Sequence, residues 1–138
     1  NPTDRDVRSL EEITTLAPIV PGLYELTVAK ALEGSKPFVV VFSTPAFCVT
    51  TMCGPVTDVV VQVYADYQDR VEFIHIEPWD LQTIRNEGKM VPTDIAIEWR
   101  LPTEPWIFVV GKDNRITARW ESLVTPKELT AALDVVLQ

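Results

Sequence analysis

Phe38-Val39-Val40-Val41-Phe42 is apolar at every position, and this run constrains the fold more than any other feature. A strand with one wet face alternates apolar and polar residues, so an unbroken run reads as a strand buried on both faces, with helices packed on each side. The next periodic stretch opens with Gly54-Pro55, proline being favoured at the first helical position. It repeats apolar residues at Val56, Val59, Val60, Val63, Tyr64 and Tyr67, the spacing of an amphipathic helix. Val71 to Ile76 supplies a second buried strand. Strand, helix and strand in that order predict a parallel βαβ unit with a right-handed crossover.

The remaining elements attach to this unit. Residues 1–22 hold three of the eleven prolines and end on Pro21-Gly22, which predicts an extended N-terminal extension with one helical turn capped at Ser9. Residues 23–138 then form one domain, a size that suits a single core. Tyr24 to Thr27 reads as a short strand and Val28 to Glu33 as a short helix closed by Gly34. A weaker helical region lies between Asp80 and Trp99. Trp106 to Val110, a turn at Lys112-Asp113-Asn114, and Arg115 to Trp120 read as an antiparallel hairpin. Thr125-Pro126-Lys127-Glu128 is a capping box opening a last helix, with Leu129, Leu133, Val136 and Leu137 on one face.

Composition narrows the function classes. Twelve basic against twenty acidic residues give a net charge of −8, with no stripe of Lys and Arg to neutralise phosphates, so nucleic acid is excluded as an expected partner. The longest apolar runs are five residues, where a membrane-spanning helix needs about 20, so no segment is expected to cross a bilayer. The chain opens at Asn1 with no basic or apolar leader, which leaves any signal peptide or lipid anchor outside these residues. Oligomeric state is not readable from the pattern.

The only two cysteines, Cys48 and Cys53, fall where the first core strand hands over to its helix. They allow one intramolecular disulfide, and they rule out a four-thiolate zinc site within one chain. The order β-α-β then β-β-α, with cysteines at that junction, resembles the thioredoxin fold, a three-layer α/β/α sandwich around a mixed sheet. Phe42-Ser43-Thr44-Pro45-Ala46-Phe47-Cys48 is similar to the strand exit of thioredoxins, with Phe47 where they usually carry Trp. Pro105-Trp106-Ile107-Phe108-Val109-Val110-Gly111-Lys112-Asp113-Asn114-Arg115-Ile116 is similar to the proline, strand and turn of extracytoplasmic thioredoxins that serve cytochrome maturation. The resemblance implies that Pro105 is a cis-proline opposite the cysteines.

One departure stands out. Thioredoxins carry two residues between their cysteines, and here there are four, Val49 to Met52. On an ideal helix, positions five apart differ by about 140° around the axis, so at least one cysteine must lie outside regular helix. A helix that starts at Gly54 lets Val49 to Met52 bulge and bring both sulfurs to its N-terminus, where the backbone N–H groups favour a thiolate. Matching Phe47-Cys48 to the aromatic-Cys pair makes Cys48 the attacking residue and Cys53 the resolving one. A rival register matches Cys53-Gly54-Pro55-Val56 to Cys-Gly-Pro-Cys, with Val56 in place of the second cysteine.

Four functions from different classes compete for these residues, and the first fits them best. The first is a thiol-disulfide oxidoreductase that needs no cofactor and acts on a protein disulfide or dithiol. Its catalytic residues are Cys48 and Cys53, and Phe47, Glu104, Pro105 and Trp106 form its substrate surface, Pro105 exposing the Glu104 backbone for strand-like pairing. Thioredoxins also bury a carboxylate in the strand here occupied by Phe38 to Phe42, which has no acid; Glu104 is the nearest substitute, an anion expected to raise a neighbouring thiol's pKa, and the alternative is that Glu104 is a solvated loop residue.

A peroxiredoxin-like peroxidase is the second, prompted by the four-residue gap. Val41 and Pro45 replace the proline and threonine that family requires, and Pro105 replaces its arginine. In a copper-handling module, the third, two thiolates would join His75, the only histidine, which shares a strand face with Glu77. The fourth is a binding domain in which the disulfide staples a loop. Trp79, Trp99, Trp106 and Trp120 are expected in core and sheet-face packing. The cysteine pair and the proline-rich lead-in point to an extracytoplasmic location, periplasmic, cell-surface or secreted.

Overall fold

The structure, a computed structural model, describes all of residues 1–138. The apolar run forms β1 (Phe38–Phe42), which lies parallel to β2 (Glu72–Ile76) and antiparallel to β3 (Trp106–Val110); β3 pairs antiparallel with β4 (Ile116–Glu121). The order across the sheet is β2-β1-β3-β4, so β1 is central and buried at every position, as its composition requires.

Strand side chains alternate between faces, and the two cores follow that alternation. Val39, Val41, Ile107 and Val109 pack with Val56, Val60 and Val63 of α2 (Cys53–Tyr67) and with Leu129 and Leu133 of α5 (Pro126–Val136). Phe38, Val40, Phe42, Phe108 and Val110 point the other way, onto Val28 and Ala31 of α1 (Val28–Glu33), with Trp99 and Leu101 closing the layer. Each such aliphatic or aromatic side chain contributes about 1.5–3 kcal/mol by leaving water. Helices thus cover both faces of a mixed sheet.

Local chemistry sets the helix boundaries. Thr27 caps α1 by accepting the Lys30 N–H at 3.0 Å, and Thr125 with Glu128 closes the expected box on α5. The helical region after β2 is two helices. Asp80 caps α3 (Leu81–Glu87), which ends on Gly88 in the left-handed region (φ 69°), and Thr93 caps α4 (Asp94–Glu98). Gly88 and Pro92 interrupt the periodicity, and the intervening chain folds back through Asp80 N–H to Val91 O (2.8 Å) and Thr93 N–H to Pro78 O (2.9 Å).

The expected strand over Tyr24 to Thr27 does not form. Pro21–Tyr24 is a 3-10 turn instead. Pro21 presets the helical φ, Tyr24 is drawn inward to a buried hydroxyl partner, and Thr27 is used as a helix cap. The sheet therefore stops at β2, against which this turn packs. The expected helical turn behind Ser9 is present over Leu10–Glu12, where Glu12 accepts the Ser9 N–H at 2.9 Å. Residues 1–22 are tied to the rest of the chain at several points: Asn1 Oδ1 accepts the Val28 N–H, and Asp4 N–H donates to Tyr24 O.

Candidate active site

Antiparallel pairing of β3 with β1 places Trp106 opposite Phe42, so the segment entering β3 and the loop leaving β1 meet at one edge of the sheet. That loop carries Cys48. Helix α2 begins at Cys53, one residue earlier than Gly54-Pro55 implied, because Val56 is the first residue able to return its N–H into the helix, to Met52 O at 3.0 Å. Pro55 therefore sits in the first turn, where no N–H is required. Cys48 to Met52 is irregular, as the gap of four demanded, and Cys48 and Cys53 form a disulfide with Cα atoms 6.0 Å apart.

The two cysteines differ. Cys53 is fully buried at the first turn of a 15-residue helix, whereas Cys48 is half-buried, beside exposed Val49 and Thr50, and its Sγ lies 3.3 Å from Thr50 Oγ1. The start of α2 at Cys53 fits the rival register, while solvent access favours Cys48 as the sulfur a partner can reach.

Of the other expected site residues, Phe47 adjoins Cys48 in the chain and Glu104 is tied to the cysteine loop. The Glu104–Pro105 peptide is cis, as is Ala17–Pro18, which the sequence did not flag. Glu104 is 8 % exposed, far from a solvated loop residue: Oε2 accepts the Trp79 indole N–H at 3.1 Å, and Oε1 reaches the Val49 N–H at 3.5 Å. Its carboxylate thus holds the cysteine loop from one side. Pro105 O accepts the Ser122 N–H, while the Glu104 amide and carbonyl find no partner in the backbone. Trp106 is half-buried and stacked on Phe108 with centroids 5.8 Å apart, and its indole donates to Thr103. Phe47 is half-buried and lines a groove of about 650 Å³ together with residues 14–19 and Arg85.

A buried polar seam lies behind the pair, and most of it escaped the sequence reading. His75 donates from Nε2 to Ser43 O and contacts Ser43 Oγ, both at 2.9 Å, and its Nδ1 is 2.8 Å from the Tyr24 hydroxyl. Both ring nitrogens are therefore engaged. Burial pulls the His75 pKa down to about 4 and keeps the ring neutral, although the bond to Ser43 favours the charged form. The Glu77 carboxylate Oε2 lies 3.9 Å from His75 Nε2 and accepts the N–H and the hydroxyl of Thr15, at 2.7 and 2.9 Å. Burial pushes the Glu77 carboxyl up, against the hydrogen bonds from Thr15. The Thr44 hydroxyl also favours the Glu77 anion, although neither it nor Glu77 Oε1 reaches a partner at hydrogen-bonding distance. Tyr24 is likewise held protonated by burial.

Thr57, four residues after Cys53, carried a readable signal, since helix Thr hydroxyls bond back to the i−4 carbonyl. Thr15, Ser43, Tyr24 and Trp79 reach the site through contacts distant in sequence and had none. Of the four tryptophans, Trp99 and Trp106 pack on the core that contains Phe108 and Trp120 on the opposite one; Trp79 is the exception, bound to Glu104.

No protein-family model matches the chain, and no curated protein does. Solved structures do. Chloroplastic thioredoxin z superposes with a TM-score of 0.59 at 14% identity, over 86% of this chain and 96% of that one. A thiol:disulfide interchange protein of the thioredoxin family from Chlorobium tepidum TLS gives 0.58 at 14% identity, over 83% and 88%. MTB DsbF, solved in mixed oxidised and reduced forms, gives 0.56 at 17%, over 74% and 81%. The chain has a thioredoxin-like fold. At these identities the likeness is one of architecture, and it places the Cys48–Cys53 disulfide in a thioredoxin-like α/β frame.

Proposed function

We propose that this protein is a thiol-disulfide oxidoreductase acting outside the cytoplasm on protein disulfides, with Cys48 attacking and Cys53 resolving. The observation that carries this reading is the asymmetry of the disulfide: one sulfur buried at the N-terminus of α2, the other half-exposed on a loop beside Glu104-Pro105. A staple needs no such asymmetry. Exchange does, because the attacking sulfur must meet a partner and the resolving one must be kept from it.

In the dithiol form the helix N-terminus favours a thiolate. Cys48 thiolate attacks one sulfur of the substrate disulfide, and the other substrate sulfur leaves as thiolate and takes a proton from water. Cys53, losing its proton, then attacks the Cys48 sulfur and releases the second substrate thiol. Two electrons pass from the dithiol to the substrate, and the Cys48–Cys53 disulfide of the structure is the product state. Phe47 and Trp106 frame the approach, and the unpaired main chain of Glu104 offers a substrate strand one donor and one acceptor. An extracytoplasmic location is supported by the disulfide itself, which persists in oxidising compartments; cell fractionation that found the protein in a reducing cytosol would remove that part of the reading.

The test is a redox titration in glutathione or dithiothreitol buffers, with free thiols alkylated and counted by mass in wild type, C48S and C53S. A reversible transition between about −120 and −270 mV, with C53S trapping a mixed disulfide through Cys48, is expected. A bond that stays closed below about −300 mV makes the disulfide a staple and overturns the assignment.

A further inference from the structure

Two hydrogen-bond routes connect the N-terminal segment to the two cysteines. The first reaches the Cys48 side. Thr15 Oγ1 accepts the Ala46 N–H at 3.0 Å and gives its own proton to Glu77 Oε2 at 2.9 Å, while Thr15 N–H anchors to the same carboxylate oxygen at 2.7 Å. Ala46 is two residues before Cys48. Thr15 therefore holds the cysteine loop at Ala46, as Glu104 does at Val49.

The second route reaches Cys53, and its proton directions follow from its ends. The Ser43 and Cys53 carbonyl oxygens only accept, so His75 Nε2 carries its proton and the Thr57 hydroxyl donates to Cys53 O at 2.6 Å. Thr57 Oγ1 then accepts from Ser43 O–H at 2.6 Å, and Ser43 Oγ is left to accept from Nε2. On the other side Nδ1 is unprotonated, so Tyr24 O–H donates to it at 2.8 Å. Tyr24 in turn accepts from the Thr14 hydroxyl at 2.7 Å. The Leu16 N–H at 3.0 Å fixes Thr14 in that orientation. One directed chain thus runs from Thr14 to the first residue of α2 with every hydroxyl donating once.

We infer that Thr14 and Thr15 are positioning residues for the redox pair, so that the N-terminal segment belongs to the working centre. The inference rests on the reading of Cys48 and Cys53 as an exchangeable pair. While the disulfide is closed, the covalent bond holds Cys48 in place. When it opens, Cys48 sits on a loop whose residues Val49, Thr50 and Thr51 are exposed, and the side-chain hydrogen bonds that tie that loop to distant parts of the chain are those from Thr15 to Ala46 and from Glu104 to Val49. Their strength sets the effective concentration of one thiol at the other, and hence the balance between dithiol and disulfide. Thr14 acts on the Cys53 side, which the helix already holds, so its effect is the smaller of the two.

The experiment equilibrates wild type, T15V, T15S and T14V with defined ratios of reduced to oxidised glutathione and reads the disulfide fraction by alkylation and mass. T15V keeps the shape and loses the hydroxyl; its equilibrium shifts toward the dithiol by about fivefold, the equivalent of one hydrogen bond. T15S restores the wild-type value within about twofold, and T14V shifts by less than T15V. A T15V equilibrium equal to wild type overturns the inference, as does a T15S value equal to that of T15V. If T15V fails to fold, E77Q is read instead, since a neutral amide oxygen holds Thr15 less firmly than a carboxylate; it must shift the same way by at least twofold or the inference falls. A wild-type disulfide that no glutathione ratio opens is a separate result, and it overturns the proposed function.

Discussion

The sheet core and the polar seam behind the cysteines are equally buried, yet they are built on opposite rules. Phe42, Val40 and Phe108 lie at 0–5 % exposure among apolar neighbours, any of which fills space without regard to direction. Ser43, Thr57 and His75 lie at 0–3 % exposure, and each holds its place through a partner at 2.6–2.9 Å that must present the correct proton. In the core a substitution is felt through lost volume. In the seam it is felt through a polar atom stranded away from water, and through protonation. The boundary is sharp: Phe42 and Ser43 are consecutive residues on opposite sides of it.

The largest expected effect is on the core side. Phe42 meets Trp99 and Phe108 with ring centroids 5.2 and 6.1 Å away, and F42A opens a cavity between them. It is expected to cost about 3–5 kcal/mol in urea unfolding, with no dependence on pH between 4 and 7. A loss under about 1 kcal/mol would mean that the aromatic layer is loosely packed.

The seam gives a smaller effect with a pH signature. Burial holds the His75 pKa in the folded chain down at about 4, against an ordinary value of 6.5, so in that window the unfolded chain binds a proton and the native one does not. Stability is therefore full above pH 6.5 and is lost as pH falls toward 4, by about 3 kcal/mol at most. Glu77 works the other way, because burial raises its pKa and the native state takes up a proton before the unfolded one. The two partly cancel in wild type. In E77Q, with Glu77 titration removed, the fall of stability below pH 6.5 is expected to be steeper, and equal slopes would show that Glu77 does not titrate in this window.

The same division explains what was legible in the sequence. The core announces itself through period and composition: five apolar residues in Phe38–Phe42 require a central strand, and Thr125 with Glu128 requires a helix start. The disulfide loop was legible from spacing alone, since four intervening residues cannot lie on one helix with both sulfurs together. Tyr24 misled because its strand-forming chemistry was overridden by Pro21 before it and by a buried partner, His75, 51 residues further on. Glu104 misled in the same direction. Nothing in Pro-Thr-Glu-Pro tells a reader that Trp79 and Val49 wait for its carboxylate. Polar partners distant in sequence leave no periodicity, so the seam became visible only in three dimensions.

The finest distinction between the two regions is how substitutions combine. Ser43 O–H donates to Thr57, and each of S43A and T57V alone leaves the other hydroxyl short of a buried partner, at about 1–2 kcal/mol apiece. Removing both removes the stranded group, so the double variant is expected to be more stable than the sum of the singles by about 1 kcal/mol. V40A and V60A serve as the core comparison, because Val40 and Val60 lie in separate apolar clusters on opposite faces of the sheet and share no neighbour-filling role. Their costs are expected to add within about 0.5 kcal/mol. Urea unfolding of both cycles at pH 7 decides the matter. If the Ser43–Thr57 pair adds as simply as the valines, the seam is a set of independent bonds, and the directed chain from Thr14 to Cys53 loses its physical basis.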